Sequence, residues 1–226
     1  MSLSTGRGPL STRPAGRFSA AVPSGLAYLE PHRRRVRAIK DGRTVIDTER
    51  ALLVHRQGRP PEYAFVAADV DGLPTLAEPD AEGYVRVNWD EADRWYEEDE
   101  QVLGHPRNPY HRVDCLRGRR RLQVEAAGEL LVDTTDTLVV YETALEPRLY
   151  VAPAYVRTDL LVESATVTYC PYKGTATYWS ARIGDVVLHD VAWSYEHALP
   201  ESVPLQHHLS FDDTRVRVVC DLPPGD

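Results

Sequence analysis

Five consecutive residues, Cys170-Pro171-Tyr172-Lys173-Gly174, gather a thiol, a phenol and a primary amine within one short segment. A thiol three residues from an ammonium can serve as a nucleophile, because the nearby positive charge favours the thiolate. The same cysteine, at the end of an alternating strand, can equally be a small buried hydrophobe. Lys173 can hold a carboxylate or phosphate as a point charge, or sit in solvent as an ordinary turn lysine. Gly174 suits a backbone conformation closed to other residues. Glu142 follows the apolar run Leu138 to Tyr141. There it can pair with Lys173, act as a general acid or base, or be a strand-end carboxylate in water. The candidate catalytic residues are therefore Cys170 and Glu142, with Lys173 as an anion anchor.

Aromatic residues crowd the same region. Nine of the 16 Trp and Tyr residues lie between 141 and 195, so a pocket with aromatic walls is sought there. Tyr150, Tyr172, Tyr178, Trp179, Trp193 and Tyr195 join Lys173 as candidate ligand-binding residues, with Trp193 and Tyr178 the better placed to line a pocket. The ordinary role of such residues is core or sheet-face packing. His189, His197, His207 and His208 match no common metal-ligand spacing, and there is no CxxC. No metal and no cofactor is expected.

The elements that must position these groups read as strands. Leu122, Val124 and Ala126 alternate with polar residues, as do Ala165, Val167 and Tyr169. Ala127-Gly128 and Gly184-Asp185 have the chemistry of hairpin turns. Thr175 to Ala181 is strand-like, and Val216, Val218 and Cys220 form a last strand. One segment reads as a helix, Trp89 to Leu103. Asn88 and Glu91 have capping-box spacing, Trp89, Ala92, Tyr96 and Leu103 share a helical face, and Gly104 supplies a stop. Its outer face would carry Glu97 to Glu100 into solvent.

A repeat organises the chain. Residues 33–70 align without a gap to 119–156, with 11 of 38 identical and many aliphatic exchanges. Two copies of one β-rich domain account for this. Thirteen residues separate Val70 from Tyr84, against 51 between Val156 and His208, so the first copy lacks about 38 residues that include the Cys170 segment. The boundaries expected are an extended N-terminal arm over 1–32, a shortened first domain with the acidic helix over 33–110, and a second domain over 111–226. His105 to His111, with two prolines, reads as the linker.

The 226 residues suffice for one large domain or two small ones, and 42% hydrophobic with 27% charged is globular composition. A net charge of −8 argues against nucleic acid as a partner. The apolar runs are too short to span a bilayer, so no membrane is expected. Met1 to Arg17 has no apolar core and does not read as a secretory signal. Three widely spaced cysteines make a poor disulfide framework and point to a reducing cytoplasm.

The Cys170–Gly174 block, followed by Tyr178-Trp179-Ser180 and Ala192-Trp193-Ser194-Tyr195, resembles the family catalogued as domain of unknown function 427, which carries a nucleotidyltransferase-like label. Tyr141-Glu142-Thr143 through Pro147, Tyr150, Pro153 and Asp159-Leu160-Leu161 fits it too, as does Trp89-Asp90 through His105-Pro106-Arg107. The resemblance implies a mainly β, β-tent architecture, in two tandem domains here. Nucleotidyl transfer is not implied, since no Gly-rich phosphate loop and no paired aspartates occur. The family's usual His before Cys-Pro is Tyr169 in this chain. The function expected is a small-molecule site in the second domain, binding or catalytic, with an unknown small molecule as partner. The alternative is a structural or protein-interaction module without activity.

Overall fold

The computed structural model describes residues 3–222. The chain forms two compact units, Met1–His111 and Arg112–Asp226. Residues 1–2 of the expected arm and 223–226 of the expected second domain lie outside the described residues.

The first unit contains β1 (Ala27–Pro31), β2 (Val36–Lys40), β3 (Arg43–Thr48), β4 (Leu52–Arg56), β5 (Glu62–Val66), β6 (Leu76–Ala77), β7 (Tyr84–Arg86), β8 (Arg94–Glu97) and β9 (Glu100–Val102). They form two antiparallel sheets, in the orders β1-β4-β5-β7-β6 and β3-β2-β8-β9. Period-two alternation turns Val36, Ala38, Leu53, Tyr63, Phe65 and Trp95 into one shared core. Residues 27–31, expected in the N-terminal arm, instead pair as β1 with β4. The segment before them is also held, since Ser4 Oγ donates to the Arg59 carbonyl at 2.9 Å and Gly58 N–H donates to the Ser4 carbonyl at 2.7 Å.

The expected helix over 89–103 is not formed. Trp89–Glu91 is a single 3-10 turn, followed by the hairpin of β8 and β9. Period two wins over the helical period because Trp95 and Glu97 are both buried while Arg94 is exposed. Residues 98–99 make the turn, with Glu98 at φ 51°. Arg37 closes it by donating to the Glu98 carbonyl at 2.8 Å and to Asp99 at 2.7 Å. Glu97, expected in solvent, is 4% exposed.

The second unit contains β10 (Val113–Gly118), β11 (Leu122–Ala126), β12 (Glu129–Thr134), β13 (Thr137–Glu142), β14 (Arg148–Tyr150), β15 (Leu161–Cys170), β16 (Gly174–Ile183), β17 (Val186–Ala198), β18 (Leu209–Phe211) and β19 (Arg217–Cys220). Three antiparallel sheets result, β10-β13-β14, β12-β11-β19 and β15-β16-β17-β18. One core joins Leu122, Val132, Val139, Val151, Val191 and Phe211. A second joins Val113, Leu138, Val140, Tyr150, Tyr172, Tyr195 and Leu205. Successive residues of β13 therefore serve different cores, Val139 the first and Val140 the second, as a strand with both faces covered requires. Gly184-Asp185 makes the turn between β16 and β17, and Ala127-Gly128 the one between β11 and β12. No helix among the described residues is long and apolar enough to cross a membrane.

Candidate functional site

Pro171, Tyr172 and Lys173 form the turn between β15 and β16, with Cys170 paired opposite Gly174. Pro171 has no N–H to lose to the ladder and presets its own φ. Gly174 lies at φ 102°, and a Cβ there would come within 2.8 Å of the His197 carbonyl oxygen. Both facts confine the position to glycine. The turn is pinned from behind. The Lys173 carbonyl accepts from Leu199 N–H at 3.1 Å, and the Tyr172 carbonyl accepts from the buried Ser202 hydroxyl at 3.2 Å. These bonds fix the direction in which the Lys173 side chain leaves the backbone.

That side chain meets Glu142, the last residue of β13, in a direct ion pair. The ammonium also lies 6.0 Å from the centre of the Tyr195 ring. Burial alone would push the Lys173 amine down, but Tyr150, Glu142 and Cys170 around it outweigh that and hold it above its ordinary value. It is therefore a paired cation at neutral pH and not a nucleophilic amine.

The pair opens onto a cavity of about 490 Å3. Its aromatic wall is Tyr150, Tyr178, Trp193 and Tyr195, and Val140, Leu145, Glu146, Arg148 and Asp212 complete it. Trp193 Nε1–H donates to the Tyr150 hydroxyl at 3.0 Å, with the two rings edge-on at 88°. Tyr178 is opposite Trp193 on the neighbouring strand, their rings 6.4 Å apart and tilted by 38°. The Arg148 guanidinium stands 5.3 Å over the Trp193 ring. Burial raises the Tyr195 phenol, and buried Tyr150 and Glu142 nearby add to it. Burial raises Tyr150 as well, against opposing effects of Lys173 and the Trp193 bond. Both phenols thus stay protonated and offer hydrogen bonds rather than base chemistry.

Six candidate residues come together here: Glu142, Lys173, Tyr150, Tyr178, Trp193 and Tyr195. Three do not line the cavity. Cys170 is half-buried against the core of Val140 and Leu205. Tyr172 is buried in that same core. Trp179, adjacent to Tyr178, points to the other face of β16, packs on the other core, and donates to Ser194 Oγ at 3.0 Å. His189 and His197 are exposed at the surface, and His207 pairs with Glu196 at 2.8 Å. Among the described residues no group of three His, Cys, Asp or Glu side chains could hold a metal.

Arg148 escaped the sequence reading, yet its signal was present. It lies two residues before Tyr150 on one short strand, so both must share a face. Val140, opposite Arg148, could have been reached the same way from Glu142. Asp212 and Leu145 had no comparable mark, since both come from loops beside the strands.

No curated protein matches this chain. Residues 114–222 match the family model described as Domain of unknown function (DUF427), and because that span takes in every residue lining the cavity, this is the family that the second unit, with its site, is similar to.

Proposed function

We propose that the second unit binds a small organic molecule in the cavity beside Lys173. The observation that carries this is convergence: Glu142, Tyr150, Lys173, Tyr178, Trp193 and Tyr195, from separate strands and a turn, meet around one space of about 490 Å3. Ligand pockets typically span about 300–1,000 Å3, with apolar walls and few polar groups. Binding without chemistry is the favoured form of the proposal. Cys170 lies outside the lining, and Lys173 is a protonated, paired amine. A thermal-shift screen of a metabolite library tests it, on the native chain and on Leu145→Trp. Leu145 is exposed at the rim, so an indole there would fill the entrance without disturbing a core. At least one stabilising compound should lose its effect in the variant. A screen in which no stabilisation depends on Leu145 would sink the proposal.

We also infer that the two units are copies of one β-rich module, of the β-tent kind that the family resemblance implies. Pairing register supports this. Ala27 is opposite Arg56, and Val113, 86 residues on, is opposite Glu142. The bulge at Ala38/Ile39 has its counterpart at Val124/Glu125, and the isolated bridge Ile46–Val70 at Val132–Val156. On this reading β15 to β17 are the segment the first copy lacks. The first copy then serves as scaffold, with Arg56 where the second has Glu142. A reducing, cytoplasmic location belongs to the same proposal, supported by three free cysteines.

A further inference from the structure

We propose that the ligand of this cavity is a small organic anion, a carboxylate or phosphate monoester on a planar apolar body, and that Arg148 rather than Lys173 receives its charge. The inference rests on the cavity proposal above and adds the ligand's charge and shape to it.

Lys173 is neutralised by Glu142. Asp212 accepts from Thr214 N–H at 2.9 Å, from the Thr214 hydroxyl at 2.6 Å and from Arg215 at 3.1 Å. Glu146 is engaged as well. Arg148 alone pairs with no carboxylate among the described residues, although it lines the cavity and its guanidinium is held over Trp193. A contact to a ring face uses none of the guanidinium's N–H donors, so it leaves the fork that matches a carboxylate or phosphate available. A cationic ligand would meet Arg148 and Lys173 and find Glu142 and Asp212 already taken. A neutral one would leave the exposed Arg148 fork to water. The body of the ligand follows from the walls. The tilted pair Tyr178 and Trp193, with Tyr150 edge-on beside it, offers ring faces to a flat apolar group.

The test uses four probes of one shape and different charge: 1-naphthoate, 1-naphthyl phosphate, 1-naphthalenemethanol and 1-naphthylmethylammonium. Each is titrated calorimetrically at low salt into the full chain, into Arg148→Gln and Arg148→Lys, and into Leu145→Trp. At least one anion should bind about tenfold or more tighter than the alcohol, with the ammonium weakest. The tighter anion identifies the headgroup. Arg148→Gln should abolish that advantage, bringing the anion-to-alcohol affinity ratio within the variant to about one, and Arg148→Lys should restore only part of it, because a point charge lacks the fork. Arg148 is exposed, so the variants should melt like the native chain. The charge inference alone falls if the alcohol or the ammonium binds as tightly as the anions while Leu145→Trp still blocks it, or if Arg148→Gln leaves the anion advantage intact. If no probe binds in a manner that depends on Leu145, the cavity proposal falls with it.

Discussion

The ammonium of Lys173 and the carboxylate of Glu142 form an ion pair in which the two side chains are only 12% and 8% exposed. A charge so far from water depends on its partner, and removing one member of a buried pair costs about 3–5 kcal/mol. Lys173→Met should lower the unfolding free energy by about that amount, because it removes the buried ammonium that faces the Glu142 carboxylate. Lys173→Met with Glu142→Gln should cost less than the two single changes added together, by about 1–3 kcal/mol. Urea unfolding of the four proteins measures this, and simple additivity would contradict a coupled pair.

Gly174→Ala should be among the more damaging single-methyl changes in the chain. It combines φ 102° with a carbonyl oxygen 2.8 Å from the new Cβ. Strain of this kind costs about 1–3 kcal/mol before the collision is counted. Gly184→Ala is the control, since Gly184 has φ 57° and open space around it. A left-handed alanine there should cost only about 1 kcal/mol. Equal melting temperatures for the two variants would mean that the turn relaxes away from His197.

Much of this arrangement was legible in the residues. Alternation at Leu122, Val124 and Ala126, and the turn chemistry of Ala127-Gly128 and Gly184-Asp185, correspond to strands and hairpins of the second unit. The Cys170–Gly174 block falls at the turn between β15 and β16, and four of the clustered aromatic residues line the cavity beside it. The failure at 89–103 has a specific cause. Trp89, Ala92 and Tyr96 fit a helical face by spacing, but Arg37 captures Glu98 and Asp99 as a turn, and Val36 and Ala38 of β2 pair with Glu97 and Trp95 of β8. Such a long-range partner leaves no local mark. The same limit hid which side of β16 each aromatic occupies. Tyr178 and Trp179 are neighbours in sequence and serve different cores.

Glu97 gives the first unit an acid-sensitive centre. Burial would raise its pKa, but His32 at 3.3 Å, the Tyr63 hydroxyl and the Arg34 guanidinium hold it at about 2, against an ordinary 4.5. A carboxylate depressed by folding stabilises the folded state above its unfolded pKa and loses that contribution as pH falls through the folded one. The native chain should therefore lose about 3 kcal/mol between pH 4.5 and 2 from this group. Glu97→Gln should start less stable at pH 7 and show a shallower slope across that window. Chemical denaturation at half-unit pH steps checks it. Parallel slopes for the two proteins would mean that Glu97 does not carry the acid response.

Thiol reactivity separates binding from nucleophilic catalysis. Cys220 is exposed, while Cys115 and Cys170 are half-buried. Burial also pushes the Cys115 thiol up, against the opposing charge of Lys173. Reaction with a disulfide reagent needs both access and thiolate. At pH 8, Cys220 should therefore label first, about tenfold or more ahead of the other two, as followed by peptide mass spectrometry on the native chain. Cys220→Ser should remove the fast phase entirely. Should Cys170 instead label as fast as Cys220 from its half-buried position, access could not account for it. The Lys173 ammonium would then be activating a neighbouring thiolate. The preference for binding over catalysis, which rests on Cys170 lying outside the cavity lining, would have to be reversed.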